Sequence, residues 1–102
     1  MELKPGSRWK SAVCAGEVVV VRPPKSAVTL ECGGHPMLAH TAERPAGVTA
    51  AADRTGALPT GKRYVDDDTG MEALVSKAGE HLLSVDGRLL KLKEAKALPS
   101  SD

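Results

Sequence analysis

The chain has 102 residues, of which 41% are hydrophobic and 26% are charged, and its formal net charge is +1. This length suits one modest core, so we expect a single domain over residues 1–102. The composition is typical of globular proteins and excludes a fully disordered chain. A nearly neutral chain generates no strong field toward nucleic acids or anionic membranes, and we expect neither as a partner.

Apolar runs are short, and the valine run Val18–Val21 is far below the ~20 residues that span a bilayer. Residues 1–16 lack the apolar segment of a secretory signal peptide. We therefore expect a cytoplasmic protein in which Cys14 and Cys32 are reduced thiols. The only aromatic residues are Trp9 and Tyr64, which makes a poor stacking platform for single-stranded nucleic acid.

The first third of the chain predicts strands. Weak alternation over Arg8–Cys14 indicates a first strand. Glu17–Arg22 is the strongest strand signal, because four consecutive valines suit a pleat, and an unbroken apolar run implies burial on both faces. Ala27–Cys32 alternates, so that Val28, Leu30 and Cys32 share one face. Gly33-Gly34 ends this run.

The middle of the chain has no clear period. His35–His40 is a short segment with Met37 or Leu38 packed inward. Residues 41–62 are rich in Ala, Gly, Thr and Pro and predict a long central loop, which would be either mobile or functional. Helix propensity favours a short helix around Val48–Ala52 within it.

Three strand-like runs follow a turn at Asp66–Gly70. They are Met71–Lys77, His81–Val85 and Arg88–Lys93, and they predict a three-stranded C-terminal meander. We expect a frayed tail over residues 97–102. The predicted fold is mainly β, a small antiparallel barrel or sandwich in which the valine-rich strands close the meander.

The last two runs form the clearest hairpin. Asp86-Gly87 lies between them, and this dipeptide suits a type I′ turn with positive φ at both central positions. A two-residue loop sets Val85 opposite Arg88, Leu83 opposite Leu90 and His81 opposite Leu92.

A metal site is one functional hypothesis. Cys32 and His35 stand two residues apart across a flexible Gly-Gly corner, so both can reach one ion, and Cys14 ends a neighbouring strand. Zinc suits the set Cys14, Cys32 and His35 and is the cofactor that this hypothesis implies. The alternative interpretation is that both cysteines are small buried hydrophobes and that His35 is a surface turn residue.

Two further functions stay open. The leading one is a non-enzymatic binding or accessory module that acts through protein–protein contacts or self-association, because exposed strand edges often add to a partner sheet. The sequence has none of the patterns that would indicate an enzyme, namely a catalytic triad, paired carboxylates or a cofactor-binding loop. The other is a thiol-dependent enzyme, which needs a cysteine with a lowered pKa, although no Cys-x-x-Cys is present.

Several fragments carry a resemblance to a known group. They are Leu3-Lys4-Pro5-Gly6-Ser7, Val13-Cys14, Cys32-Gly33-Gly34 with Pro36-Met37, Gly61-Lys62-Arg63-Tyr64, Lys77-Ala78-Gly79, and Lys93-Glu94-Ala95-Lys96 with Leu98-Pro99-Ser100-Ser101-Asp102. Together they resemble short bacterial proteins without an established activity, some of which carry the label dihydrodiol dehydrogenase. The chain lacks the G-x-G-x-x-G fingerprint and the βαβ unit that a dinucleotide needs. These absences argue against a dehydrogenase activity. What the resemblance adds is interest in Cys14, in Cys32-Gly33-Gly34 and in the C-terminal tail.

Overall fold

The computed structural model of the chain describes residues 1–93, and the predicted tail over 97–102 lies outside the described residues. The described chain is mainly β, as predicted. A turn of 3-10 helix at Ala52–Arg54 precedes the sixth strand. The strands are β1 (Arg8–Lys10), β2 (Glu17–Arg22), β3 (Leu30–Cys32), β4 (His35–Pro36), β5 (Leu38–Ala39), β6 (Thr55–Leu58), β7 (Arg63–Val65), β8 (Glu72–Lys77), β9 (Gly79–His81), β10 (Leu83–Val85), β11 (Arg88–Leu89) and β12 (Lys91–Leu92).

The strands form antiparallel sheets that pack as a sandwich, not as a closed barrel. The largest sheet has the order β12-β7-β8-β2-β1-β5, the second has the order β11-β10-β3-β4, and β6 pairs with β9. Residues 1–93 contain no helix with the length and hydrophobicity that crossing a membrane requires. The core is aliphatic and includes Val18, Val20, Val28, Leu30, Cys32, Met37, Leu58, Met71, Ala73, Val75, Leu83, Val85 and Leu90.

The valine strand has the predicted bounds, but its burial differs from the prediction. Val18 and Val20 are fully buried, whereas Val21 is 40% exposed. The strand lies between β1 and β8, so both of its edges are paired. Only one face of the largest sheet packs on the core, and the valines on the other face need no burial for the strand to form. The expectation of burial on both faces was therefore wrong.

The C-terminal runs do not form one meander. The run that begins at Met71 becomes β8, which lies between β7 and β2 in the largest sheet. The run that begins at His81 divides into β9 and β10, which belong to different sheets. Local alternation predicted these strands correctly, but it carries no information on which strand becomes the neighbour. The predicted three-stranded meander is corrected accordingly.

The hairpin at Asp86-Gly87 is confirmed. Asp86 has φ 48° and Gly87 has φ 84°, as a type I′ turn requires. Val85 faces Arg88 in the predicted register, and Leu90 N–H donates to the Leu83 carbonyl at 3.0 Å.

Beyond Leu90 the register prediction fails. The chain leaves the second sheet there, and β12 pairs with β7 in the largest sheet. His81 pairs with Thr55 and not with Leu92, and the Leu92 side chain is 44% exposed.

Residues 41–62 contain more structure than the predicted loop. Instead of a helix at Val48–Ala52, the chain forms the 3-10 turn and then β6, which brings Leu58 into the core. The Ala51 N–H donates to the Gly33 carbonyl at 2.8 Å, which fixes this segment against the Gly33-Gly34 corner. The low apolar content of this segment gave no signal for β6, which pairs with β9.

An ion-pair network fastens the end of the described chain to the largest sheet. Glu72 is 3% exposed and lies 3.2 Å from Arg63 and 2.9 Å from Lys93. The hydrogen bond from Lys93 is the main cause that holds the pKa of Glu72 below its usual range, against the opposing effect of burial. A buried carboxylate needs such partners, because an unpaired charge in the interior is costly.

Candidate functional site

The loop between β1 and β2, residues 11–16, carries Cys14. The first strand ends at Lys10, earlier than predicted, because the chain turns at Ser11. The Ser11 N–H donates to the Gly16 carbonyl at 2.8 Å, and the Ser11 Oγ accepts the N–H groups of Val13 at 3.0 Å and Cys14 at 3.1 Å. A fully buried serine thus holds this loop in one conformation, and Cys14 occupies a fixed place.

Cys14 and Cys32 lie side by side, with their sulfur atoms 4.0 Å apart. Cys32 ends β3 and is fully buried, whereas Cys14 is partly exposed. The Cys32 thiol donates to the His81 carbonyl at 3.5 Å. Because a disulfide has its sulfurs ~2.05 Å apart, each sulfur needs to move by about 1 Å to form a bond. The pair consists of an accessible thiol in the loop between β1 and β2 and an inaccessible thiol at the end of β3.

The surroundings of Cys14 favour its thiolate. Partial burial alone raises its pKa, but hydrogen bonds from Ser11, the His81 ring and the backbones of Glu80 and Gly16 outweigh it and lower the pKa to about 6. A thiolate is the nucleophilic form of cysteine. Cys14 is therefore largely ionised at neutral pH.

The surroundings of Cys32 act in the opposite direction. Burial is the largest cause and, with the neighbouring Cys14 charge and the hydrogen bond to Cys14, it raises the pKa of Cys32 to about 12, although Ser11 partly opposes it. Cys32 is a neutral thiol at neutral pH. Two cysteines 18 residues apart in the chain thus differ sharply in protonation although their sulfurs are neighbours.

Glycines make the close approach of this loop to β9 feasible. A Cβ on Gly79 would lie 2.8 Å from the Gly16 Cα and 3.0 Å from the Cys14 sulfur. Both distances are shorter than van der Waals contact, so a side chain at this position would displace the loop or the sulfur. The backbone of β9 is therefore able to contact the thiol directly.

His81 is the third member of the site. It ends β9, and its carbonyl accepts the Cys32 S–H while its ring hydrogen-bonds to Cys14. The Nδ1 atom is buried and has no hydrogen-bond partner in the described part of the chain. A buried ring nitrogen without a partner is uncommon and is a proton acceptor at hand.

The predicted metal set is brought together only in part. The structure joins Cys14 and Cys32, whereas the His35 Nε2 atom lies 2.6 Å from the Thr49 carbonyl oxygen. Over residues 1–93, no three His, Cys, Asp or Glu side chains are grouped as metal ligands. Zinc binding by Cys14, Cys32 and His35 stays a prediction.

Sequence reasoning missed Ser11 and His81. Neither residue stands at a spacing that links it to a cysteine, since His81 lies 49 residues after Cys32. Its place depends on how β9 and β10 are divided between two sheets. The glycines at positions 16 and 79 are a weak signal of close contact between two backbone segments, but the signal can be read only once the strand order is known.

Comparison with known proteins adds no relative to this description. No protein family model, no curated protein and no solved structure matches the chain.

Proposed function

We propose that this protein is a dithiol that carries out thiol–disulfide exchange, with Cys14 as the nucleophile and Cys32 as the resolving thiol. The observation that carries the proposal is the 4.0 Å separation of an accessible sulfur from a buried one. Exchange needs an exposed thiolate that attacks first and a second thiol within reach of the resulting mixed disulfide. This proposal develops the thiol-dependent alternative from the sequence and assigns the role of nucleophile to Cys14.

The reaction proceeds in two displacements. The Cys14 thiolate attacks one sulfur of a substrate disulfide, so that a Cys14–substrate disulfide forms and the other substrate sulfur leaves as a thiolate. Cys32 then loses its proton, and its sulfur attacks the Cys14 Sγ. A Cys14–Cys32 disulfide forms, and the second substrate sulfur leaves. The substrate gains two electrons and the protein loses two.

The low pKa of Cys14 supports both roles that this cysteine has. It makes the thiolate available at neutral pH, and it makes Cys14 a good leaving group when the protein disulfide is reduced again. Cys32 is shielded by burial, so a large substrate has direct access to Cys14 alone. This division predicts that only Cys14 forms a mixed disulfide.

A reducing, cytoplasmic location suits the proposal, because reductants there would regenerate both thiols after each exchange. A protein disulfide as the substrate would also agree with the predicted binding module and its protein contacts. Exposed apolar side chains support such contacts: Val21, Leu89 and Leu92 are each at least 40% exposed. Native mass spectrometry without chelator tests self-association and the zinc hypothesis together, and a bare monomer would contradict both.

Glutathione redox buffers test the exchange. We expect the oxidised wild type to be two hydrogens lighter by intact mass, without an adduct, because Cys32 resolves any mixed disulfide. Cys32→Ala should retain one glutathionyl group on Cys14, whereas Cys14→Ala should retain none under the same conditions.

The thermal stability of each variant in its reduced form serves as the control for folding. A wild type that keeps its glutathionyl group, or keeps two free thiols up to strongly oxidising ratios, would refute the proposed function.

A further inference from the structure

The resolving step raises a problem of proton transfer. Cys32 needs to lose its proton before its sulfur can attack, yet it is fully buried and its thiol donates to a backbone carbonyl instead of to water. A carbonyl oxygen can accept this hydrogen bond, but it is too weak a base to remove the proton. A base inside the protein is therefore needed close to Cys32.

The neighbouring polar groups can be considered in turn. The Ser11 Oγ already accepts two backbone N–H groups, so its hydroxyl acts as a donor toward sulfur. Glu31, next to Cys32 in β3, accepts hydrogen bonds from Ser84 and from the Gly87 backbone at 2.9 Å. Glu80 precedes His81 and has an exposed side chain.

The elements that pack against β9 contribute no better base. Thr55 faces His81 across the ladder and does not titrate, and the Arg54 guanidinium pairs with Asp53 and the Gly87 carbonyl. Of the remaining titratable groups, Cys14 contacts the His81 ring and Cys32 contacts the His81 carbonyl.

His81 is placed for this transfer. Its carbonyl oxygen is the atom that receives the Cys32 S–H, and Nδ1 is the ring nitrogen nearer to that backbone. Nδ1 is buried and without a partner over residues 1–93, so in the tautomer that carries its proton on Nε2 the Nδ1 lone pair is available. The same ring contacts the Cys14 sulfur, which is the atom that Cys32 attacks. His81 thus adjoins both reacting sulfurs, Cys14 through its ring and Cys32 through its carbonyl oxygen.

The chemistry of the first displacement prepares the second. While Cys14 is a thiolate, its charge opposes the ionisation of Cys32. Once Cys14 is part of a mixed disulfide, that charge is gone and the Cys32 proton is easier to remove. The proton therefore becomes transferable only after substrate has been captured.

Resting on the proposed function, we infer that His81 is the general base of the resolving step, with Nδ1 accepting the proton of Cys32. The Cys32 S–H bond breaks as the N–H bond forms. The Cys32 sulfur then bonds to the Cys14 Sγ, and the bond between Cys14 and the substrate breaks with its electron pair on the departing sulfur. The imidazolium finally gives its proton to the departing thiolate or to water.

The test uses an aromatic disulfide whose thiolate is coloured, 5,5′-dithiobis(2-nitrobenzoate), in stopped flow with full-length protein. The attack by Cys14 releases one equivalent of colour and the attack by Cys32 releases the second, so the two displacements appear as two phases. We expect His81→Asn to slow the second phase by at least about 10²-fold, the lower end for general-base catalysis. The exposed His40→Asn should leave both phases unchanged.

Two further readouts separate a base from a merely structural histidine. The wild-type second phase should level off as pH rises, whereas in His81→Asn it should stay proportional to hydroxide. Added imidazole should accelerate the second phase in His81→Ala and leave the wild type unchanged.

The outcomes distinguish the two proposals. Release of one equivalent by the wild type refutes the proposed function itself. Two equivalents with an unchanged second phase in His81→Asn, or a wild-type second phase proportional to hydroxide over the whole pH range, overturns the role of His81 and leaves the exchange function standing. The wild-type profile keeps the inference testable even if His81→Asn does not fold.

Discussion

The ionisation of Cys14 gives the most direct prediction, since it sets how fast this thiol reacts at each pH. The Cys32→Ala variant leaves Cys14 as the only thiol, and the reagent is a neutral small disulfide such as 2-hydroxyethyl disulfide. The pKa of Cys14 falls from 9.0 to about 6 in the folded protein. The same variant unfolded in urea supplies the reference thiol with its ordinary pKa.

Two effects compete in the rate. At pH 7 the thiolate fraction is about 90% for a pKa of 6 and about 1% for a pKa of 9, a gain of roughly 90-fold. A Brønsted slope of ~0.4–0.5 over three pKa units makes the more acidic thiolate roughly 16- to 32-fold less nucleophilic. The larger thiolate fraction outweighs the lower nucleophilicity, and native Cys14 should react about 3- to 6-fold faster than the unfolded reference at pH 7.

The contrast grows in acid. At pH 5 the ratio of thiolate fractions is roughly 900, so the native advantage should reach about 30- to 60-fold. The assay is the rate of mixed-disulfide formation followed by intact mass between pH 4.5 and pH 9.5. The native profile should have its midpoint near the pKa of about 6. Ser11→Ala should move that midpoint upward, because it removes a hydrogen bond to the thiolate.

A native profile that rises steadily to pH 9, parallel to the unfolded one, would refute the reasoning. It would mean that the donors around the sulfur do not outweigh its burial. Cys14 would then be an ordinary thiol.

Three other predictions concern stability. A disulfide between Cys14 and Cys32 closes a loop of about 19 residues, which should add about 3 kcal/mol to the free energy of unfolding by the chain-entropy model and raise Tm by about 12 °C. Calorimetry with and without reductant measures this difference, and a lower Tm in the oxidised form would contradict it. Glu72→Gln should cost about 1–3 kcal/mol in urea unfolding at pH 7, since two charged partners lose their acceptor. Because the folded pKa of Glu72 is lowered, its contribution is present above the ordinary carboxyl pKa and disappears as pH falls through the folded value, so the variant should lose less stability between pH 5 and pH 3 than the wild type. Gly79→Ala should destabilise by about 1–3 kcal/mol and slow the reaction of Cys14, because the new methyl group meets the Gly16 backbone and the sulfur; an unchanged thiol reactivity would show that β9 does not hold the sulfur.

Local patterns predicted much of the secondary structure. The bounds of β2 and the turn at Asp86-Gly87 depend on neighbouring residues in the chain, so alternation and turn chemistry were sufficient. The pairing of β8 with β2 depends on contacts some 55 residues apart, for which a single sequence has no code. The same limit explains why β6 was concealed within the predicted loop.

Only part of the candidate site could be predicted from the sequence. The sequence placed Cys14 near Cys32, and the two sulfurs do lie 4.0 Å apart, although Cys14 is in the loop after β1 and not at the end of a strand. The choice of histidine was the part that local spacing could not make. His35 is close to Cys32 in the chain, but its ring turns to the Thr49 carbonyl, whereas His81 is brought in by the ladder between β9 and β6.

The passage of the chain between sheets at Leu90 has a consequence for the order of assembly. Strands β11 and β12 are adjacent in sequence, yet one completes the second sheet and the other edges the largest sheet. During synthesis, β7 has no partner on that side until β12 has left the ribosome. Because such distant pairings close large loops, we expect slow folding, on the scale of milliseconds to seconds. The pairing of β12 with β7 would be a late step.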